Sequence, residues 1–271
     1  SCFGSKQHVQ ASTFLLHVAL GALLAALLVL PDAVFGDVAT CVHFEEPWQE
    51  EPLRSSWWEM AGWQTLPSVA AQGAAIAACR RARNWQQAVS LLFASRDEGR
   101  LADARAYGAA LSACASSLQW RHAAALLVEM QRASVSANTI SCTAAMGACE
   151  RSRQWRRALR LFGYMHQQEV APNNFTYTVA IRSCEKGRYW QGALALLEEV
   201  HLRGLQPDII NYSVAVSACE KGQQWILALG LLRQMPHDGV QANGIVCNAC
   251  ISACEKGHEW ARAVALLHEM G

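Results

Sequence analysis

The sequence predicts an all-α fold, a right-handed α-solenoid of stacked helix-turn-helix units, and three observations predict it. Tryptophan recurs at Trp85, Trp120, Trp155, Trp190, Trp225 and Trp260, each 35 residues after the last. Cysteine keeps the same step through Cys79, Cys114, Cys149, Cys184, Cys219 and Cys254. Alanine does so through Ala88, Ala123, Ala158, Ala193, Ala228 and Ala263. Three residue types held to one period for six cycles mark an array of units that stack to share a core.

Position 1 of the units falls at Val69, Ala104, Thr139, Asn174, Ile209 and Gly244, giving repeats 69–103, 104–138, 139–173, 174–208, 209–243 and an incomplete 244–271. The fifth unit shows why each is a helical hairpin. Tyr212, Val216 and Cys219 stand at positions 4, 8 and 11, the spacing of one helix face. Glu220-Lys221-Gly222 then breaks the pattern, and Gly222 is expected to end the helix in a left-handed turn. Trp225, Ala228, Leu232 and Met235 give a second apolar face at positions 17, 20, 24 and 27. A second break follows at Asp238-Gly239, and Asn243 closes the unit. Neither half alternates with a period of two, so strands are not expected. The small Ala228 lets two helices approach, while Trp225 and Leu232 are expected to fill the space beside it as buried residues.

Outside the array, Met60 and Pro67 match positions 27 and 34 of an earlier unit, so residues 53–66 are expected to form a degenerate capping helix within an otherwise irregular linker, 37–68. The sequence starts at Ser1 and stops at position 28 of its sixth unit, Gly271, and reads as a piece of a longer array.

Charge and motif content narrow the function. With 23 basic and 22 acidic residues the chain is nearly neutral, so attraction for a polyanion has to come from placing cations on one face. Cys247, Cys250 and Cys254 resemble a metal cluster, but they stand at positions 4, 7 and 11, the inward stripe of a helix, where small thiols pack as core. One core cysteine per repeat also reads as a reduced compartment. The sequence lacks the His-x-Glu…Pro-Cys-x-x-Cys pattern of zinc deaminases, the His-Glu-x-x-His of zinc proteases, a phosphate-cradling glycine loop and a nucleophile elbow. It reads as a binding module with no catalytic residues, no metal and no cofactor.

The strict period of 35 carries further signs of family. Tyr107, Tyr177 and Tyr212 fall at position 4, and Met130, Met165, Met235 and Met270 at position 27. Gly99, Gly204 and Gly239 fall at position 31, Pro172 and Pro207 at 34, and Asp103, Asn138, Asn173, Asp208 and Asn243 at 35. Over residues 69–271 this resembles the pentatricopeptide repeat family, in an Ala-Cys-Glu-Lys-Gly…Trp variant with an algal or plant-type, organellar flavour.

The resemblance implies binding of single-stranded RNA, one base per repeat, in organellar RNA processing, editing, stability or translation. In the family, positions 5 and 35 select the base. Carried over, Thr143 with Asn173 reads adenine, Thr178 with Asp208 guanine and Ser213 with Asn243 adenine, while Asn248 reads a pyrimidine. Gly73 and Gly108 stand at position 5 of the first two units and offer no side chain to a base. Position 2 of the family sandwiches bases, a role that falls here to Ile140, Phe175, Ile210 and Ile245. Position 13 is basic in five of the six units, as Arg81, Arg151, Lys186, Lys221 and Lys256, one cation in each of those hairpins available to follow phosphates. As bland alternatives, the position-35 residues serve as plain helix N-caps and the position-5 residues as polar surface. The competing function is a protein-interaction scaffold of the tetratricopeptide type, which needs no such pairing of positions 5 and 35. Protein partners in an RNA-processing complex are a further expectation.

Residues 18–30 form an uninterrupted apolar run ended by Pro31-Asp32, and residues 11–30 are long enough to span a bilayer. Residues 1–36 are therefore expected to be a hydrophobic leader, a targeting peptide or a membrane anchor, with membrane contact through 11–30. Together with the resemblance this points to an organelle, a chloroplast ahead of a mitochondrion, although residues 37–60 carry six acidic residues, unlike a transit peptide.

Overall fold

From the second repeat on, each first helix begins where a carboxylate or amide oxygen accepts from its first free N–H groups. Asp103, Asn138, Asn173, Asp208 and Asn243 all take extended backbone and accept from the backbone N–H three residues on, at 2.8–3.1 Å. The plain N-cap expected of position 35 is thus formed in all five. In the computed structural model, which describes residues 69–97 and 103–270, six hairpins follow one another. The first helices are α1 (Val69–Arg81), α3 (Ala104–Ser116), α5 (Thr139–Arg151), α7 (Asn174–Lys186), α9 (Ile209–Lys221) and α11 (Gly244–Lys256). The second helices are α2 (Trp85–Asp97), α4 (Trp120–Arg132), α6 (Trp155–Gln167), α8 (Trp190–Leu202), α10 (Trp225–Gln234) and α12 (Trp260–Met270). Every first helix starts at position 1 and every second helix at position 17, as the period requires. The hydrophobic leader, the linker and the expected capping helix lie outside the described residues. Among the described residues no helix is long and apolar enough to cross a membrane.

First helices stack directly, α1 on α3 on α5 on α7 on α9 on α11, and each second helix from α2 to α10 packs between its own first helix and the next one. The sequence stripes become the core. Ala88, Ala123, Ala158, Ala193 and Ala228 are all 0% exposed, as are Cys114, Cys184, Cys219 and Cys254. Met130, Met165 and Met235 at position 27 are equally enclosed. Burial pushes the thiols of Cys114, Cys142, Cys149, Cys184, Cys219 and Cys250 up to about 12, which keeps them protonated and unreactive near neutrality. Pro236 shortens α10: without an N–H it cannot continue the ladder, so the helix ends at Gln234 while Met235 remains in the core.

Two expectations about the hairpin turn change. Gly222 is not left-handed; its φ is −85°, and the residue after it, Gln223, has φ 57°. The same holds at position 15 in every unit, where Arg83, Leu118, Arg153, Arg188, Gln223 and His258 lie between 54° and 60°. Position 16 then donates its N–H to the carbonyl of the core cysteine, as Gln224 does to Cys219 at 2.9 Å, which completes a Schellman turn. Glycine is needed one residue earlier for another reason. A Cβ on Gly222 would lie 2.4 Å from Trp190, on Gly187 2.5 Å from Trp155, and on Gly257 2.2 Å from Trp225. Trp155, Trp190 and Trp225 thus each lie on the bare backbone of the next repeat's turn. Where position 14 is serine, Ser117 Oγ donates to the Arg83 carbonyl and Ser152 Oγ to the Leu118 carbonyl, at 2.8 and 2.9 Å.

The tryptophans therefore sit at the seam between repeats and are half-buried rather than enclosed, with Trp260, which has no described repeat beyond it, 75% exposed. Arginines of the following repeat cover the outer ring faces: Arg157 lies 4.0 Å from the Trp120 ring centre and Arg262 4.9 Å from that of Trp225.

Equilibrium unfolding should give Trp225→Ala a destabilisation of about 2 kcal/mol, below the roughly 3–5 kcal/mol of a fully buried tryptophan. Gly222→Ala should destabilise by about 1–3 kcal/mol through overpacking against Trp190. Gln223→Gly, which relieves the left-handed residue, should be neutral or stabilising by up to about 1 kcal/mol. The opposite order for the two turn variants would show that left-handed backbone, not the tryptophan seam, selects the glycine.

Candidate nucleic-acid interface

Along the stacked first helices the same positions recur from one repeat to the next. Position 2 stands clear of the helix: Ile140, Phe175, Ile210 and Ile245 are 68%, 62%, 48% and 69% exposed. Four large apolar side chains in water, one per repeat, form a row that the core does not explain. A Cβ on Gly108 would lie 3.8 Å from Ile140, so position 2 of one repeat borders position 5 of the repeat before it.

The position-35 caps have a consistent polarity. Asn173 Oδ1 accepts from both the backbone N–H and the hydroxyl of Thr176, each at 2.9 Å. Asn138 Oδ1 accepts likewise from Ser141 N–H and Oγ, at 2.9 and 2.8 Å. Asn243 Oδ1 accepts from Val246 N–H at 3.1 Å. Because the oxygen faces donors, the amide orientation is fixed, and Nδ2, a pure donor, is left outside the cap on an exposed residue. Asp208 differs: Oδ1 accepts from Ile210 and Asn211 N–H at 3.0 and 2.8 Å, which leaves Oδ2, an acceptor, outside.

Position 5 is more enclosed than the sequence suggested. Thr143 and Thr178 are each 5% exposed, because directly stacked first helices press position 5 against position 3 of the next repeat. Thr143 Oγ1 lies 2.9 Å from Thr176 Oγ1, and since the Thr176 proton goes to Asn173, Thr143 is the donor. Thr178 Oγ1 lies 2.7 Å from the Asn211 side-chain amide and 3.0 Å from the Asn174 carbonyl. Its single proton serves that carbonyl when Asn211 turns its otherwise unpartnered Nδ2 toward the threonine. These threonines thus stand behind the caps as packing partners rather than as open hydroxyls. Ser213 is half-buried and Asn248 exposed, and with Ile245 they line an open groove of about 410 Å³ between α9 and α11. Ser141, Thr176 and Asn211 at position 3, each 0% exposed, were missed in the sequence. Their one legible sign is a polar residue beside the apolar position 4.

The cations of position 13 are exposed but partnered. Lys186, Lys221 and Lys256 meet Glu150, Glu185 and Glu220 of the preceding repeats at 2.6, 2.7 and 2.7 Å. Ser217 and Ser252 donate to Glu185 and Glu220 at 2.8 Å. Arg151 donates instead to the Ala115 carbonyl at 2.9 Å, and Arg81 is exposed. The row of free positive charge expected from the sequence is therefore a ladder of ion pairs, because position 12 is glutamate in units three to five. Among the described residues no group of His, Cys, Asp and Glu could hold a metal ion; Cys250 and Cys254 face the core and Cys247 is half-buried.

The comparisons with known proteins agree with this architecture. The model described as PPR repeat matches residues 105–135 and 175–205, and that described as PPR repeat family matches 137–186. No curated protein matches the chain in sequence. The chain is similar to the crystal structure of the pentatricopeptide repeat protein PPR10 from maize, with a TM-score of 0.55 at 22% identity over 71% of this chain and 28% of that one. PPR10 in complex with an 18-nt psaJ RNA element gives 0.54 at 20% identity, over 92% of this chain and 38% of that one. The PPR domain of Arabidopsis thaliana protein-only RNase P 1 in complex with tRNA gives 0.52 at 17% identity, over 59% of this chain and 86% of that one. The chain thus spans well under half the length of the PPR10 chains it resembles, and at these identities the likeness is one of fold. The repeat models fall on the same 35-residue hairpins that carry the capped first helices and the tryptophan seam, so the chain carries pentatricopeptide repeats.

Proposed function

We propose that this chain binds single-stranded RNA along the edge formed by positions 2, 5 and 35, with one base to a repeat. The observation that carries the reading is the polarity of the caps. Asn138, Asn173 and Asn243 present an amide donor, and Asp208 presents a carboxylate acceptor, one polar end per repeat beside one exposed apolar side chain. An unpaired adenine offers an acceptor at N1 and cytosine one at N3, whereas guanine and uracil offer N–H donors there. A donor at position 35 therefore suits adenine or cytosine, and the acceptor of Asp208 suits guanine or uracil. Capping the helix and selecting the base are compatible, since the cap uses one end of the side chain and the base meets the other.

The row Ile140, Phe175, Ile210 and Ile245 supplies stacking surface for bases of any identity. Thr143 and Thr178 support the caps from behind, and Ser213 and Asn248 face the groove directly. The implied core site is 5′-A-G-A-pyrimidine-3′, preceded by two bases opposite Gly73 and Gly108. An organellar transcript as target, acted on in processing, editing, stability or translation, follows from the family resemblance and the apolar leader. Arg81, Arg151, Lys186, Lys221 and Lys256 are proposed to follow the phosphates. Lys221 and Lys256 are exposed, and their pairs with Glu185 and Glu220 are worth about 0–1 kcal/mol, weak enough for a phosphate to displace, whereas Lys186 is paired with the buried Glu150.

Fluorescence anisotropy of the full chain with an RNA carrying A-G-A-C after two purines, against a scrambled RNA of equal composition, tests the reading. Preferential binding of the first is expected, with log K falling against log salt at a slope of about −3 to −4 for five neutralised phosphates. A folded, helical protein that binds neither RNA would favour the peptide-scaffold function instead. Glu185→Gln with Glu220→Gln should tighten binding of both RNAs, because Lys221 and Lys256 then meet phosphate without a competing carboxylate; unchanged affinity would remove position 13 from the RNA path.

A further inference from the structure

Position 3 joins the two base-selecting positions of the preceding repeat, and it does so differently from one repeat to the next. In the third repeat a chain of hydrogen bonds runs from Thr143 Oγ1 to Thr176 Oγ1 to Asn173 Oδ1. Thr176 Oγ1 also takes the Asn173 backbone N–H at 3.4 Å, so this hydroxyl, 0% exposed, is saturated. In the fifth repeat the corresponding residue is Val246, also 0% exposed, and Asn243 Oδ1 has the Val246 N–H as its cap donor with no hydroxyl beside it. Asn173 and Asn243 are thus the same residue at the same position, both expected to face adenine, with amides held by two donors in one case and one in the other.

The difference bears on selectivity. If the Asn173 amide turned over, its NH2 would meet the Thr176 N–H donor and a hydroxyl oxygen that already accepts from Thr143 and from the Asn173 N–H, and its oxygen would face the base. A base with an N–H on that edge, guanine or uracil, would then be accepted. Discrimination against those bases therefore depends on how strongly the cap resists the turned amide, and the Thr176 hydroxyl adds one buried hydrogen bond to that resistance.

We propose that position 3 of the following repeat is a third selectivity position: a hydroxyl there, as in Ser141 and Thr176, locks the position-35 asparagine with its donor toward the RNA, and Val246 leaves Asn243 with a looser lock. This rests on the RNA reading above. It assigns selectivity to residues with no access to a base, acting through the orientation of one that has it. One net hydrogen bond corresponds to about a threefold to tenfold change in preference.

The test is reciprocal and uses the full chain. Three hexamer RNAs are compared: the proposed site, the site with guanine for adenine opposite the third repeat, and the site with guanine for adenine opposite the fifth. The wild-type protein should prefer adenine more strongly at the third repeat than at the fifth. Thr176→Val should lower the preference at the third repeat about threefold to tenfold and leave the fifth unchanged. Val246→Thr, close in shape at an enclosed site, should raise the preference at the fifth repeat and leave the third unchanged. The second substitution asks for a gain, which a damaged protein cannot give. RNA binding with unchanged preferences, or with equal changes at both bases, overturns the inference while leaving the RNA reading standing. Absence of binding to any of the RNAs by folded wild-type protein overturns both.

Discussion

The hydrogen bond from the position-35 side-chain oxygen to the first turn of the next helix is the contact on which the rest depends. It fixes where Asn173 ends one repeat and α7 begins the next, and with it the register of all thirteen residues of that helix. It also spans the boundary between two repeats, so the position-35 residue of one repeat is covalently part of that repeat and structurally part of its successor. The amide's remaining donor acquires a direction only because its oxygen is held. A side chain free to rotate would present both ends to a ligand and select nothing.

Stacking supplies the second constraint. A single hairpin cannot enclose both its faces, so stability resides in contacts between neighbours. The tryptophan seam is one such contact and the enclosed alanine and cysteine stripes are another. The ladder from Glu150 to Lys256 repeats the arrangement in charge: each lysine meets the glutamate of the repeat before it. This ladder makes a nearly neutral surface of what a list of basic residues suggests is a positive one. An RNA path along it would exchange carboxylate partners for phosphate partners, so the glutamates weaken attraction for any polyanion. Affinity would then depend more on bases and caps than on charge alone.

Much of the molecule was legible in the sequence because repetition averages out local ambiguity. One window with Tyr212, Val216 and Cys219 at helical spacing is weak evidence; the same pattern six times fixes the helix starts to the residue. The stripes at positions 11, 20 and 27 are enclosed for the same reason, since any residue that must be small or apolar in every copy faces a neighbour in every copy. The caps at position 35 could also be placed, from an oxygen at a helix start, whereas the row at position 2 is singled out by the family resemblance, since apolar character alone would put it in the core.

What the tertiary structure decided is everything that depends on which atoms of adjacent repeats meet. Gly222 reads in the sequence as a left-handed turn, but the left-handed residue is Gln223, and the glycine answers to Trp190 one repeat earlier. Trp225 reads as core and lies half-buried at a seam. Thr143 and Thr178 read as open hydroxyls and lie closed between helices, tied to Thr176 and Asn211, whose importance no periodicity announced because position 3 changes from copy to copy. A sequence period determines the elements, their ends and their inward faces, since these obey local helix geometry. The direction of a side-chain dipole and the partner of a charge are set by contacts across some 33 to 36 residues of chain, and only the stacked structure brings those atoms together.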